Sequence, residues 1–162
     1  MKLSVIAVGH RLPQWLDSGF QQYAKRMPRE MPLTLIELKP EARLDEPGTA
    51  AAARVLEREA QRIEAALQKV GKGAVSVVLD ESGKTVATQQ LAQRLRRWRD
   101  DGRDVSFVIG GADGTAARLK SGADWLWSLS PLTLPHGLVR VILAEQLYRA
   151  VSILNNHPYH RV

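Results

Sequence analysis

Val105-Ser106-Phe107-Val108-Ile109-Gly110-Gly111-Ala112-Asp113-Gly114 sets a short, β-forming, mostly apolar run directly before paired glycines. A run this short with no polar face predicts a strand buried on both sides, as in a parallel sheet covered by helices. Two readings of Gly110 and Gly111 stand at this point. They form a tight turn, or they let the backbone approach a ligand at the carboxyl end of the strand, where open α/β sheets bind theirs.

Working outward, the same alternation continues to both termini. Residues 3–8 (LSVIAV) and 74–79 (AVSVVL) are further apolar strands, and residues 32–38 alternate Leu33, Leu35 and Ile36 with polar neighbours. Between them, residues 13–26 carry Trp15, Leu16, Gly19, Phe20 and Tyr23 at helical spacing. Residues 49–70 form a long Ala/Glu/Arg/Gln-rich helix with Val55, Leu56, Ile63 and Leu67 inward, and 88–101 a helix with Leu91, Leu95 and Trp98 on one face. Residues 39–48 read as a charged surface loop, 80–84 as a turn and 115–121 as a short helix. Trp125, Trp127 and Leu129 alternate as a last strand, and 137–154 form a strongly apolar helix. Strands alternating with helices give an α/β class with a mostly parallel sheet flanked by helices, in one domain spanning 1–162.

The chain has no cysteine, which excludes disulfides and thiolate metal sites and fits a reducing compartment. No stretch approaches the roughly 18 apolar residues of a membrane span, and the 3–8 run is too short for a signal peptide, so a soluble cytoplasmic protein is expected. Net charge is +6, a balance that favours a polyanionic partner. Residues 1–72 carry 12 Lys/Arg against 9 Asp/Glu and residues 73–162 carry 11 against 8, so each half is +3 and there is no basic tail. Basic surface must be assembled by folding. The stretch 94–103 (RLRRWRDDGR) is either a solvated face or an RNA contact.

Two phosphate motifs fail. Ser82-Gly83-Lys84-Thr85 resembles the end of a P-loop, but the glycine required five positions before Gly83 is Val78. The 110–114 glycines are not GxGxxG, and no HExxH is present. Residues 129–136 (LSPLTLPH) are uncharged and stiffened by two prolines. Such a loop is either a packed connection or a platform for an uncharged planar ligand such as adenine. On the helix that follows, Glu145, Gln146, Arg149, Ser152 and Asn156 lie within about 120° of arc. Arg140 falls among apolar residues on the other side and needs a phosphate, an acidic partner or an escape to solvent. The helix is otherwise apolar round more than half its circumference, which predicts a dimer interface. The last residues, 155–162 (NNHPYHRV), combine imidazole, phenol and guanidinium groups suited to stacking on bases and contacting phosphates, unless they simply fray.

Taken together, MKLSVIAVG (1–9), LDESGK (79–84), FVIGGADG (107–114), WSLSPLTLPHGLVRVILAEQLYRA (127–150) and NNHPYHR (155–161) resemble SPOUT-superfamily rRNA methyltransferases of the RlmH type. The resemblance spans the chain and is least characteristic over 40–72. It implies a SPOUT fold with a C-terminal trefoil knot, which periodicity does not reveal and general topology disfavours. It implies a homodimer that methylates N3 of a pseudouridine in 23S ribosomal RNA, on the ribosome. It also implies S-adenosylmethionine as methyl donor, held by positions that are here Leu79, Gly110, Leu129, Ser130, Pro131, Leu132, Thr133 and Leu134. Gly110→Val is then expected to fill ligand space and leave the fold intact.

The sulfonium leaves as a neutral thioether, so departure needs no acid and no metal. The uracil-like N3 is weak until it loses its proton, which calls for a base or for a positive field that lowers its pKa. His136, His157, Tyr159 and His160 are the candidates for the base, and Arg140 and Arg161 for the field. A rival of another class, a non-catalytic RNA- or ribosome-binding module, explains the charge and the tail but not the paired glycines and the stiff loop.

Overall fold

The computed structural model describes residues 1–42, 49–71 and 73–161, without the side chains of Thr49, His160 and Arg161. Five strands, β1 (Leu3–Val8), β2 (Leu33–Leu38), β3 (Val75–Lys84), β4 (Val105–Ile109) and β5 (Trp125–Trp127), form one sheet in the order β2-β1-β4-β3-β5. Every pairing is parallel, with Leu3 opposite both Leu33 and Val105, and Val75 opposite Val105. The helices are α1 (Gln14–Ala24), α2 (Thr49–Val70), α3 (Thr88–Asp100), α4 (Ala117–Gly122) and α5 (His136–Leu154), followed by a 3₁₀ turn over Pro158–Arg161. Of the expected 39–48 loop, residues 43–48 lie outside the described residues.

Strand alternation sorts the core into two layers. Leu3, Val5, Ala7, Val77 and Phe107 pack against Phe20 of α1, Leu91 and Leu95 of α3, and Leu143 and Leu147 of α5. Val8, Val78 and Val108 face the other way, against Ala60 and Ile63 of α2 and Leu119 of α4. Both faces of β1 and β4 are therefore buried, as their unbroken apolar runs require.

Three expectations change. Residues 80–84 are not a plain turn: β3 continues through Lys84, which pairs with Trp127 after a register shift. Gly83 permits this, because a Cβ there would stand 2.5 Å from the Trp127 carbonyl carbon and 2.7 Å from the Ser128 nitrogen. Trp15 does not join the α1 core face but is 65% exposed. The apolarity of α5 is largely consumed within the chain, since the helix sits between α1 and α3 with Leu143, Ala144, Leu147 and Ala150 fully buried.

Candidate active site

The carboxyl ends of β3, β4 and β5 open into a cavity of about 650 Å³, within the range of small-ligand sites. Of the eight positions expected to hold the cofactor, Leu79, Gly110, Leu129, Ser130, Leu132, Thr133 and Leu134 line it; Pro131 does not. They come from three separate elements: the end of the regular part of β3, the turn after β4, and the stiff loop between β5 and α5. His136 and Val139 close the cavity from the first turn of α5.

Backbone packing shapes the turn after β4. Gly114 has φ +86°, and its amide donates to the Gly111 carbonyl at 3.1 Å. A Cβ on Gly110 would stand 2.5 Å from the Gly114 carbonyl oxygen and run into the buried Thr115 hydroxyl. Gly110 is therefore glycine because the turn folds back over it. Gly110→Val disrupts that turn, and the expectation that it leaves the fold intact is withdrawn.

The loop side is held by short polar ties. Ser128 Oγ donates to the Ser130 carbonyl at 2.9 Å, and Ser130 Oγ accepts the Leu132 amide at 2.9 Å. These bonds expose Leu132, 74% accessible, on a fixed backbone. Sequence reasoning missed the acidic wall of Asp80, Glu81 and Asp113. Burial works against ionisation of Asp80, but the Ser82 hydroxyl and amide and the Lys120 ammonium outweigh it and hold the carboxyl below its ordinary range. Its signal was the DESGK stretch, which has a short hydroxyl side chain two residues after an acid.

Beneath the cavity lies Arg140, whose side chain is fully buried. Its Nη1 meets Glu37 Oε1 of β2 at 2.6 Å, while Nη2 and Nε lie 3.1 and 3.3 Å from His136 Nε2. Gly9, at the end of β1, makes the room: a Cβ there would stand 2.8 Å from Arg140 Nη2 and 2.9 Å from His136 Nε2. Burial first, then the adjacent guanidinium, lower the His136 pKa, and a hydrogen bond to the Gly110 carbonyl only partly opposes them. A neutral His136 accepting from Arg140 and donating to Gly110 ties β2, α5 and the turn after β4 together. Glu37 could be found from the sequence only as an acid ending a strand.

The tail lies elsewhere. Tyr159 packs on Tyr148 with ring centres 4.7 Å apart, donates to Glu145 Oε1 at 3.2 Å, and lies under the guanidinium groups of Arg26 and Arg149. Burial, hydrogen bonding with Tyr23 and the charge of Glu145 push its hydroxyl up to about 12. His157 Nδ1 accepts the Tyr159 amide at 3.3 Å. Neither residue lines the cavity. The side chains of His160 and Arg161 lie outside the described residues. Among the described residues no three His, Cys, Asp or Glu side chains gather as metal ligands, and no helix is long and apolar enough to cross a membrane.

The family described as "Predicted SPOUT methyltransferase" matches residues 1–160. Proteins of Burkholderia mallei (strain SAVP1) and Burkholderia pseudomallei (strain K96243), both named ribosomal RNA large subunit methyltransferase H, are 59% identical over 161 residues and cover 99% of either chain. In fold, the chain is similar to a solved structure described as a probable methylase family protein from Haemophilus influenzae Rd KW20. The TM-score is 0.57 at 12% identity, over 98% of this chain and 69% of that one. On the match across nearly its whole length and the identity of its relatives, the chain belongs to the SPOUT methyltransferase family.

Proposed function

We propose that this chain is a single-domain, S-adenosylmethionine-dependent methyltransferase that methylates N3 of a pseudouridine in 23S ribosomal RNA. It acts in the cytoplasm, as a homodimer, on the assembled ribosome. The observation that carries this reading is the convergence of seven of the eight expected cofactor positions on one cavity. The 59% identity to relatives named for the ribosomal large subunit supports the substrate class.

The residues fit the cofactor. The uncharged 129–134 backbone suits adenine, and Asp80, Glu81 and Asp113 suit a ligand bearing a sulfonium and an ammonium. When bound, S-adenosylmethionine supplies an electrophilic methyl group that departs from a neutral thioether. The 128–134 loop orients that ligand, and His136 fixes the loop's far end to Gly110. Arg140 supplies positive potential from below without needing to move, because Glu37 and His136 already hold it. Much of the rate comes from holding methyl and acceptor nitrogen in line.

Twofold assembly is supported by surface rather than by the α5 core face. Trp15 and Leu132 are exposed, and Leu138 and Ile142 of α5 are half-buried, while Val141 beside them packs on Gly19 of α1. In such a dimer the tail of one chain completes the RNA site of the other. A knotted C-terminal region is supported by the family match over residues 1–160.

The test is methyl transfer from labelled S-adenosylmethionine to ribosomes of a strain lacking this activity, with the product nucleoside identified by mass spectrometry. Calorimetric binding of S-adenosylmethionine without transfer to any ribosome would sink the enzymatic reading in favour of a binding module.

A further inference from the structure

A second cavity, of about 590 Å³, lies on the other side of the Gly111–Asp113 turn, over the ends of β1 and β2 and against α2. Pro40, Ala42 and Ala112 give it apolar sides, and His10 and Lys39 stand exposed at its edge. β1 and β2 end side by side, with Val8 opposite Leu38 and the Gly9 amide donating to the Leu38 carbonyl at 3.0 Å. Residues 9–11 and 39–41 therefore leave the sheet together, at the same edge as the first cavity.

Charge on this edge is unevenly matched. Glu41 is held by Arg58 at 2.7 Å and by Arg62, whose Nη1 also donates to the Lys39 carbonyl at 2.6 Å and fixes the backbone there. Glu59, only 5% exposed, accepts the Glu41 amide at 3.0 Å. Glu37 is paired with Arg140 at 2.6 Å. Arg11 and Lys39 are exposed, and among the described residues neither side chain has an acidic partner. The other basic stretch, 94–103, sits at the opposite edge, where Arg103 Nε donates to the Gly73 carbonyl ahead of β3. The five residues of β4 set that edge about 16 Å from the first cavity. There Arg94 lies over the Trp125 ring, Arg99 pairs with Asp100 and Arg103 with Asp124. A strand whose acceptor reaches the first cavity lies nearer the ends of β1 and β2 than the end of α3.

We propose that the RNA strand carrying the acceptor runs over the second cavity, with its phosphates on Arg11 and Lys39 and an unpaired base next to the acceptor seated between Pro40, Ala42 and Ala112. This rests on the function proposed above. The acceptor itself goes to the first cavity with the methyl donor, and the Gly111–Asp113 turn separates the two bases. Guanidinium and ammonium groups donate to phosphate oxygens and fix the position of the strand. Unpaired RNA bases present flat apolar faces that such a cavity can take out of water. The neutralised acids matter as much as the free cations, because an unpaired carboxylate on this path would repel the backbone.

The experiment measures ribosome affinity against salt concentration for the intact protein and for three double variants. On a single strand each phosphate contact adds roughly 0.7 to the slope of log affinity against log salt. Arg11→Gln/Lys39→Gln is expected to flatten that slope by about 1.4 and to weaken binding at low salt at least about fivefold, with S-adenosylmethionine bound as before. Arg11→Lys/Lys39→Arg keeps both charges and should keep the slope. Arg96→Gln/Arg97→Gln, at the far edge, should leave affinity and slope as they are. A single variant, Ala42→Leu, narrows the cavity without offering a flat face, and should weaken ribosome binding at least about threefold at an unchanged slope. An unchanged slope in Arg11→Gln/Lys39→Gln, a flattened one in Arg96→Gln/Arg97→Gln, or an unchanged affinity in Ala42→Leu overturns the assignment. An intact protein that neither binds nor methylates ribosomes removes the proposed function and this surface with it. One that methylates them with a slope insensitive to Arg11 and Lys39 defeats this surface alone.

Discussion

The two ends of α5 carry similar chemistry in opposite settings. At its start, His136 and Arg140 lie in and beneath the cavity, with Arg140 fully buried and paired to Glu37. At its end, Arg149 pairs with Glu145 at 2.7 Å while both keep partial exposure, and Tyr159 folds over them. A helix of 19 residues spans about 28 Å. No local flexing brings the imidazole and phenol of the tail into the cavity of the same chain. A residue type suited to catalysis is therefore not enough; the helix decides which candidates share a site. Those at its start are fixed at the cavity, whereas His157 and Tyr159 at its end are held away from it.

The sharpest break between the two ends is made by deleting residues 157–162. Methyl transfer to ribosomes should fall at least about 100-fold, while calorimetric binding of S-adenosylmethionine stays as before. A truncated, folded protein that transfers at near-normal rate would show that the start of α5 suffices alone. Next in size are the two ion pairs. Arg140→Met should cost about 2 kcal/mol in denaturant unfolding, because it removes charge-assisted hydrogen bonds from the buried guanidinium to Glu37 and His136, although Glu37 itself stays open to solvent. Arg149→Met should cost under about 1 kcal/mol, because its pair is an i,i+4 contact within one helix that keeps partial exposure. Equal costs would erase the contrast.

The middle of α5 offers a smaller test of what covers the helix. Leu147 is fully buried against α1, α3 and the sheet, so Leu147→Asp reports on folding alone. Ile142→Asp, at a half-buried position, should leave folding within about 1 kcal/mol and shift sedimentation from dimer towards monomer. An Ile142→Asp dimer of unchanged affinity would move the interface elsewhere, with Trp15 the next position to change.

These contrasts also mark what the linear order of residues discloses. The strands 3–8 and 105–109 and the helix 49–70 were legible to the residue, because their periodicity and flanking glycines agree. The order β2-β1-β4-β3-β5 was not, since no local property tells β1 that β4 will be its neighbour. The apolar girth of α5 was seen but assigned to a partner chain, when α1 and α3 supply most of its cover. Arg140 was correctly marked as needing a partner, yet Glu37 stands 103 positions away and its sequence context gives no hint of the pairing. Glu59 was invisible for the opposite reason. In an Ala/Glu/Arg-rich helix one buried carboxylate looks like its solvated neighbours.

The smallest expected effect concerns protons at the start of α5. His136 has its pKa lowered by burial, then by Arg140, against the partial support of the Gly110 carbonyl. In the unfolded chain the imidazole titrates near its ordinary value of 6.5. Below that pH the unfolded state binds a proton that the folded state resists, so folding stability falls as the solution is acidified. Above it both states are neutral and the contribution is constant. His136→Asn keeps a polar group at the site and removes the titration. Denaturant midpoints measured from pH 7.5 down to pH 5.5 should therefore decline less steeply in His136→Asn than in the intact protein. A variant with the same slope would mean that His136 titrates alike folded and unfolded, and that the Arg140 guanidinium does not press on it. Such a result would leave the start of α5 no more constrained than its end.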